Sequence, residues 1–529
     1  MTKQHALVWF VLTVIICGAL FFRSYHISSI PSGLYPDEAV NAVDALGAIN
    51  SGHYKLFYPN NYGREGLFIN LQALSLKTFG YTIAALKLWS IIFGTLAVLG
   101  IYLLGRELFH RRGAALLAAF FIATSYWAIN FSRIGFRAIM TSFLMSFAFF
   151  FLFKGLRTRR YLDFALSGFC IGLGLHTYIA FRLTPLILVA LLPFLMLSYE
   201  NFLKRYWKQG LIFVLSAFIA AAPMLYHFFI AHPEDFASRS TAISVFSPEI
   251  NHGNLPGTLL KTFGLSLLKY NFWGDQNWRH NYPPYPILDP ITGFFFLGAF
   301  LFLISQTVAL IGRRLRHHDR DIRLVRNVFL LGSFFIMLMP EFLTSEGLPH
   351  ALRAIGTQIP VFLIAGLGAF WLYQRILRSS SQSKTVLLSL FFITLGLSAT
   401  FNLTKYFVFF ANNPDQRGAF NEDYTSMATY LLSLPPETKK YIYANAGGTD
   451  IDNGLPVTAE SLYFLTYNKV ENLTFLKPDT TVTTPAVVIL MRHDETIAKR
   501  LLERHSGGEI RSIYANPYSP VSFPVIILP

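Results

Sequence analysis

The chain has 529 residues, of which 53% are hydrophobic and only 14% are charged, and its formal net charge is +15. Soluble domains contain about 25% charged residues, so this composition excludes an ordinary globular protein and predicts a polytopic membrane protein. The positive charge could suggest nucleic-acid binding, but most basic residues lie in short segments between apolar runs. That placement is the topology signal of membrane proteins, and we expect no nucleic-acid partner.

About eleven apolar runs approach the roughly 17–25 residues that are needed to cross a bilayer. The first run lacks a convincing signal-peptide cleavage site and is predicted to remain as a membrane span. Cys17 and Cys170 both lie within apolar runs, so no disulfide framework is expected. The predicted spans lie near residues 6–22, 82–104, 114–131, 138–153, 161–180, 183–198, 210–230, 291–312, 327–343, 355–373 and 385–403.

The distribution of lysine and arginine predicts the orientation of the chain. With the N-terminus in the cytoplasm, nearly all loop lysines and arginines fall on the inside, as the positive-inside rule requires. We therefore expect a multi-pass protein of the inner (cytoplasmic) membrane, with its C-terminal tail outside. The basic inside loops are residues 105–112, 154–160, 204–208, 313–326 and 375–384.

The predicted fold is a polytopic α-helical membrane domain over residues 1–403, followed by an extracytoplasmic α/β domain over residues 404–529. The membrane domain has two long outer loops, residues 23–81 and 231–290, with amphipathic helices predicted near 67–76 and 255–273. The tail alternates short β-rich and amphipathic segments, which is typical of an α/β unit. We predict tail strands at 441–445, 470–476 and 486–491, and tail helices at 458–467 and 494–505.

An acidic pair, Asp37 and Glu38, lies in the first outer loop. Pro36 suits the first position of a helix, and carboxylates are favoured in the first turn, where free amides carry partial positive charge. The pair could therefore simply cap a helix. Alternatively, one carboxylate acts as a general base while the other binds a hydroxyl or a cation, since neighbours on a helix point about 100° apart. Because the pair lies at a membrane surface, we favour the catalytic interpretation.

Four arginines lie at the outer ends of predicted spans, on the side that the topology rule keeps poor in positive charge. Singly, each could be a membrane-edge anchor whose head group reaches water. Together, their guanidinium groups suit a phosphate, and the phosphate of a lipid carrier lies at this depth. We regard them as a candidate phosphate-binding group: Arg133, Arg137, Arg182 and Arg353.

A third candidate site lies in the second long outer loop. Asp275 and His280, with Glu65 as a possible third ligand, could hold a divalent metal. A hydrogen-bonded loop turn also explains the same spacing, and we favour it over a metal site because true metal sites are scarce among such pairs. A divalent cation is thus the one cofactor that the sequence leaves open.

Five short motifs follow one another along the chain: Tyr35-Pro-Asp-Glu38, Tyr62-Gly-Arg-Glu65, Phe131-Ser-Arg-Ile-Gly-Phe-Arg137, Gly274-Asp-Gln-Asn-Trp-Arg-His-Asn281 and Pro349-His-Ala-Leu-Arg353. Together, in this order, they resemble motifs of the GT-C glycosyltransferases. Within them the chain is most similar to the dolichyl-phosphate-mannose protein mannosyltransferase family and its bacterial relatives, including the aminoarabinose transferases of lipid A. The resemblance covers roughly residues 1–400.

The resemblance implies a polyprenyl-phosphate sugar as donor and catalysis on the outer side of the membrane. It implies that Asp37 is the base, that Glu38 assists, and that the four outer arginines meet the donor phosphate. Metal use varies within the family, so the cation remains open. By the same resemblance, substrate binding is assigned to Tyr35, Tyr62, Arg64, Glu65 and His350.

The sequence therefore predicts an integral membrane glycosyltransferase that moves a sugar to an acceptor hydroxyl on a glycan, a lipid or a protein. A lipid-linked glycan flippase is the first alternative, although it would need polar residues lining a path through the spans, and few are visible. The second alternative is a receptor whose tail binds a partner. The absence of a Walker motif and of carboxylates in the middle of the apolar runs favours surface chemistry over transport.

Overall fold

The computed structural model describes residues 3–237, 244–317, 320–476, 480–514 and 522–529, so part of the predicted outer loop 231–290 lies outside the described residues. The α-helices are α1 (Lys3–Ser24), α2 (Pro36–Ser51), α3 (Gly66–Phe79), α4 (Ile83–Phe109), α5 (Arg112–Thr124), α6 (Tyr126–Arg133), α7 (Ile139–Thr158), α8 (Tyr161–Leu173), α9 (Thr184–Ser198), α10 (Phe202–Tyr226), α11 (Glu234–Ala237), α12 (Pro248–Asn251), α13 (Leu255–Leu268), α14 (Pro290–His317), α15 (Ile322–Phe342), α16 (Gln358–Leu377), α17 (Ser381–Thr404), α18 (Pro414–Ala419), α19 (Glu422–Ser433), α20 (Glu460–Thr466) and α21 (Glu495–Arg504).

The strands are β1 (Phe57–Tyr58), β2 (Arg64–Glu65), β3 (Lys439–Tyr443), β4 (Leu473–Leu476), β5 (Ala486–Leu490), β6 (Glu509–Tyr514) and β7 (Ser522–Leu528). Both amphipathic helices predicted in the outer loops are present, as α3 and α13.

The prediction of a polytopic helical membrane protein is confirmed, with a correction to the number of long spans. In the described part of the chain, nine helices are long and apolar enough to cross a membrane, and a bent pair makes up to ten. The predicted run 114–131 is that pair, α5 and α6, which meet at an angle of 57°. The bend occurs because Ser125 leaves the helical conformation, with φ −62° and ψ 130°. The predicted run 161–180 contains only the short helix α8 and 3₁₀ turns.

The chain divides into two compact units. The first unit contains residues 1–25 and 89–410, and therefore most of the membrane-spanning helices. The second contains residues 26–88 and 411–529. This grouping differs from the predicted division at residue 403, because the first outer loop belongs with the tail rather than with the spans.

The second unit contains a five-stranded sheet in the order β4-β3-β5-β7-β6. Strand β3 runs parallel to β4 and β5, whereas β7 runs antiparallel to β5 and β6. The three predicted strands are confirmed as β3, β4 and β5, and the two predicted helices as α20 and α21. Strands β6 and β7 and helices α18 and α19 were not predicted from the sequence.

Both faces of this sheet are covered, as its apolar strands require. Alternate residues of β5 point to opposite sides: Ile489 packs in one buried cluster, and Val488 and Leu490 pack in another. The second cluster is closed by α21. The first contains Leu462 of α20 and, from the first outer loop, Leu46 of α2. Helix α2, which carries the acidic pair, is therefore part of the same core as the tail.

Candidate active site

Glu38 is enclosed at the start of α2. Tyr35 occupies the N-cap position and Pro36 opens the helix. The Glu38 Oε2 atom accepts a hydrogen bond of 3.3 Å from the Tyr35 amide, which is the return bond of a capping box. Its Oε1 atom lies 3.7 Å from the ammonium of Lys87, and neither side chain is exposed. Glu38 therefore fixes the helix start and compensates a buried cation.

Asp37 has a different environment, although it is the adjacent residue. It is half-buried, and its Oδ1 atom accepts a hydrogen bond of 2.7 Å from the Asn61 side-chain amide. Within the described residues, Asp37 accepts no other side-chain hydrogen bond. Its second oxygen can therefore accept a proton from a substrate hydroxyl.

The loop that holds Asn61 follows an unusual backbone path. Asn61, Tyr62 and Gly63 have φ values of 51°, 65° and 80°, so three consecutive residues adopt the left-handed conformation. Asparagine and glycine tolerate this conformation, whereas Tyr62 is strained there. The turn aims Asn61 at Asp37 and leaves the Tyr62 ring exposed. Tyr62 is thus accessible to a substrate, as its predicted role requires.

Arg64 and Glu65, the other residues assigned to substrate binding in this loop, are each 2% exposed. The Arg64 guanidinium donates hydrogen bonds to Asn41 and Asp44 of α2 and to the Asn60 carbonyl oxygen. Burial raises the pKa of Asp44, and Arg64 opposes that rise by stabilising the carboxylate. These contacts attach the β1–β2 hairpin to α2, so Arg64 has a structural role whether or not it also meets substrate.

The tail supports the loop that leads into α2. The Ser461 hydroxyl of α20 donates to the Leu34 carbonyl oxygen at 2.8 Å, three residues before Asp37. Gly33 lies so close to the Phe420 carbonyl oxygen that a Cβ atom there would overlap it. The Tyr35 ring packs edge-on against Phe420, with centroids 6.4 Å apart. The tail therefore positions the backbone that presents Asp37.

The four outer arginines belong to the first unit, and their contacts differ. Arg133 is fully buried; it donates to the Phe22 carbonyl oxygen at 2.8 Å and its guanidinium carbon lies 5.4 Å from the Tyr406 ring centroid. Arg137 lies over Tyr178, at 5.6 Å.

Arg182 donates to the Phe236 carbonyl oxygen at 2.8 Å and lies over the rings of Phe228 and Phe236. Arg353 pairs with the Glu346 carboxylate at 2.7 Å and donates to the Thr344 hydroxyl. These contacts tie each arginine to its own neighbours. A joint role in binding a phosphate stays a prediction.

Asp275 and His280 come together with His350 in the first unit. The three side chains offer ligand atoms that all lie within 4.8 Å of one another. Asp275 Oδ2 lies 3.1 Å from Nδ1 of His280 and also accepts the Ala351 amide at 2.7 Å. This contact orients the His280 ring beside the carboxylate. One carboxylate and two imidazoles suit a divalent transition metal. Glu65, considered as a third ligand, belongs to the other unit.

A buried ion pair contacts the backbone of His350. The Lys269 ammonium bonds the Glu341 carboxylate, and both side chains are fully buried. Glu341 also accepts the His350 backbone amide at 2.8 Å. Burial, and next the nearby His280, lowers the pKa of His350 well below the usual value. The pair thereby fixes the backbone of the predicted substrate-binding histidine.

Several polar residues of these surroundings were not singled out from the sequence. In the sequence, Asn61 indicated only a turn, because it lies among other turn-forming residues. Lys87, Glu341 and Lys405 lie at the edges of apolar runs, where a buried ionisable residue is itself a functional signal that could have been used. Lys269 lies at the end of the amphipathic stretch that forms α13.

Comparison with known proteins agrees with this architecture. The model of the dolichyl-phosphate-mannose-protein mannosyltransferase family matches residues 67–227. The structure is similar to that of ArnT from Cupriavidus metallidurans in the apo state, with a TM-score of 0.56 and 12% identity over 99% of this chain and 98% of that one. The chain has a GT-C fold. The resemblance inferred from the motifs is thereby confirmed.

Two further structures share the GT-C fold. ArnT from Cupriavidus metallidurans bound to undecaprenyl phosphate has a TM-score of 0.52 and 13% identity over 100% of this chain and 98% of that one. Archaeal oligosaccharyltransferase AglB from Archaeoglobus fulgidus, in complex with an inhibitory peptide and a dolichol-phosphate, has a TM-score of 0.50 and 14% identity over 93% of this chain and 70% of that one. No curated protein matches the sequence.

Proposed function

We propose that this chain is an integral membrane glycosyltransferase that moves a sugar from a polyprenyl-phosphate donor to an acceptor hydroxyl on the extracytoplasmic side. The observation that carries the proposal is the environment of Asp37. It is a half-exposed carboxylate, held by one hydrogen bond from Asn61, with a second oxygen available. The GT-C fold and the polyprenyl phosphates in two structurally similar proteins support the choice of donor.

The reaction requires one displacement. The acceptor oxygen attacks the anomeric carbon of the sugar, and the bond between that carbon and the donor phosphate oxygen breaks. Asp37 takes the hydroxyl proton, and the phosphate leaves on its lipid with the bonding electron pair. A single displacement inverts the configuration at the anomeric carbon. Glu38 assists by holding the start of α2 in place.

Cationic groups would stabilise the phosphate as it departs. The outer arginines are the proposed source of that charge. Arg133, Arg137 and Arg182 lie near aromatic rings, whereas Arg353 pairs with the Glu346 carboxylate. Asp275, His280 and His350 have the donor set to hold a divalent cation. When bound, such a cation would supply further positive charge for a leaving phosphate.

The test is a transfer assay with membranes that contain the full chain and labelled undecaprenyl-phosphate sugars. Loss of a general base costs about 10²–10⁴-fold in rate, so Asp37→Asn should reduce turnover by at least about 100-fold. Glu38→Gln is the comparison variant: glutamine also completes a capping box, but it removes the carboxylate charge beside Lys87, so turnover is normalised to folded protein. We expect it to retain most turnover per folded molecule.

The same assay separates transfer from transport. Label on an acceptor supports the transferase, whereas label that only crosses the bilayer supports a flippase. Near-normal turnover of Asp37→Asn would remove Asp37 from the role of base.

A further inference from the structure

Lys405 is a cation in an unusual place. It lies directly after α17, where the helix continues as a π-helical turn over Lys405–Phe410. Such turns are often found at functional sites. The side chain is only 5% exposed. Burying an ammonium group costs free energy unless nearby groups stabilise its charge, so the surroundings of Lys405 indicate its role.

The compensation that Lys405 receives from the protein is small. Its ammonium donates to the Pro286 carbonyl oxygen at 3.2 Å and lies 4.6 Å from the ring centroid of Tyr126 and 5.6 Å from that of Tyr285. No carboxylate oxygen lies within 4.0 Å of it in the described part of the chain. Among the described residues, one carbonyl oxygen and two aromatic rings are therefore the groups that compensate its charge at close range.

Asp289 is the carboxylate that influences Lys405 most, but it is already satisfied. Its Oδ1 atom accepts from the amides of Ile291 and Thr292 at the start of α14 and from the Ser398 hydroxyl, at 3.1, 3.0 and 2.9 Å. Its Oδ2 atom accepts from the Asn402 side chain at 2.8 Å. Helix capping and these bonds disperse its charge, so Lys405 retains the capacity to bind another anion.

Lys405 forms part of the wall of a cavity of about 530 Å³. Leu397, Phe401 and Phe409 form an apolar wall that is exposed at the outer surface of the helices. The cavity is also lined by Tyr282 and Tyr285, whose rings stack with centroids 5.7 Å apart. The cavity therefore combines one buried cation with a surface that suits acyl or prenyl chains.

We propose that this cavity binds the phosphate of a single lipid, with its chain along α17 and its phosphate on Lys405. A lysine is a point-charge ligand for phosphate, and an acidic lipid supplies both the missing anion and the apolar chain. The ligand class is a phosphate ester carried on an apolar chain. Its source is either a polyprenyl phosphate or a bilayer phospholipid. The proposal does not depend on transfer activity.

The test measures binding directly by native mass spectrometry of the full-length protein. The protein is prepared in phosphatidylcholine nanodiscs that contain undecaprenyl phosphate, phosphatidylglycerol or, as the uncharged control, diacylglycerol. After mild release, we expect one phosphate-bearing lipid to stay bound and diacylglycerol to be lost. Retention in the undecaprenyl phosphate arm alone identifies the carrier as the source, and retention of phosphatidylglycerol identifies a bilayer lipid.

Three substitutions make the test specific. Lys405→Met removes the charge at similar length and should weaken retention at least tenfold, whereas Lys405→Arg should stay within threefold of the unsubstituted chain. Lys384→Met, near the other end of α17, is the matched control and should have no effect. Leu397→Trp narrows the cavity from an exposed position, so it should also weaken retention even if Lys405→Met fails to fold.

Two results would overturn the proposal. One is equal retention of diacylglycerol, which would show that charge is irrelevant. The other is unchanged retention in the variants of Lys405 and Leu397, which would place the lipid elsewhere. Retention of no phosphate-bearing lipid by the unsubstituted chain would also reject the site.

Discussion

At the scale of single residues, the acidic pair shows how two adjacent carboxylates acquire different tasks. Successive side chains on a helix point about 100° apart, so Asp37 and Glu38 cannot share one environment. Glu38 points into the protein, where it meets the Tyr35 amide and Lys87. Asp37 stays half-exposed beside Asn61. This difference in burial supports the proposed roles, Asp37 as base and Glu38 as support, which the sequence supplied only by resemblance and which stay a prediction.

Arg64 allows a test of structural against substrate-binding roles. Arg64→Ala should lower the stability of the protein by about 3–5 kcal/mol, because it leaves the buried Asp44 carboxylate without its partner. Thermal unfolding of the full chain in detergent measures the loss. Arg323→Ala, which breaks the exposed pair with Asp321, is the control and should cost at most about 1 kcal/mol.

The loss caused by Arg64→Ala should depend on pH. Burial raises the pKa of Asp44 and Arg64 lowers it, so removal of Arg64 leaves the upward shift opposed only by the hydrogen bond from Asn60. A carboxyl group with a raised folded-state pKa destabilises the fold as pH rises above its unfolded-state pKa. The stability of the variant should therefore be closest to that of the parent protein at acidic pH, and the difference should grow as the pH rises. Unchanged stability with weakened donor binding would instead support the substrate role.

The limits of sequence reasoning are also clearest among single residues. Asp37, Asp275 and His280 could be selected because their residue types and loop positions suggest chemistry. His350 joined Asp275 and His280 only in the folded chain. Lys405 was overlooked because it follows an apolar run without interrupting it. Its position at the edge of an apolar run is visible in the sequence, but its burial and the cavity beside it are not.

At the scale of elements, helix α8 is shorter than the span predicted from the sequence, but it packs closely against α10. Its Gly168 and Gly172 are four residues apart and face α10. A Cβ atom at Gly168 would overlap the Phe213 carbonyl oxygen, and one at Gly172 would overlap that of Ala217. Small residues at this spacing let helix backbones approach closely in membranes. Close packing on α10, rather than length, therefore holds α8.

This contact predicts that two glycine substitutions change the melting temperature differently. Gly172→Ala should lower the melting temperature, because the new methyl group forces α8 away from the backbone of α10. Gly210→Ala, within α10 itself, is the control: no atom lies within 4 Å of its added Cβ. It should be neutral or stabilise by up to about 1 kcal/mol through helix propensity. Melting followed by size-exclusion chromatography measures both, and equal melting temperatures would contradict the proposed packing.

At the scale of the whole molecule, the tail and the first outer loop form one unit. The start of α2 at Pro36 was predicted from the sequence, but the contact of its leading loop with the tail was not, because Leu34 and Ser461 are 427 positions apart. The span pattern was predictable since each helix must satisfy its own backbone in a bilayer. The pairing of a loop with a distant tail has no such local rule. It gives the tail a role in presenting Asp37.

Because α2 and the tail share one core, a chemical label on the tail also reports on which side of the membrane Asp37 lies. The positive-inside pattern predicts that the tail lies outside the cytoplasm, so α2, in the same unit, lies there too. In a chain with Cys17 and Cys170 replaced by alanine, Lys499→Cys tests the tail at a side chain that is 74% exposed. A membrane-impermeant maleimide should label it in intact cells. Arg316→Cys, exposed at the end of α14, should react only after permeabilisation. The reverse pattern would place Asp37 in the cytoplasm and contradict an extracytoplasmic reaction.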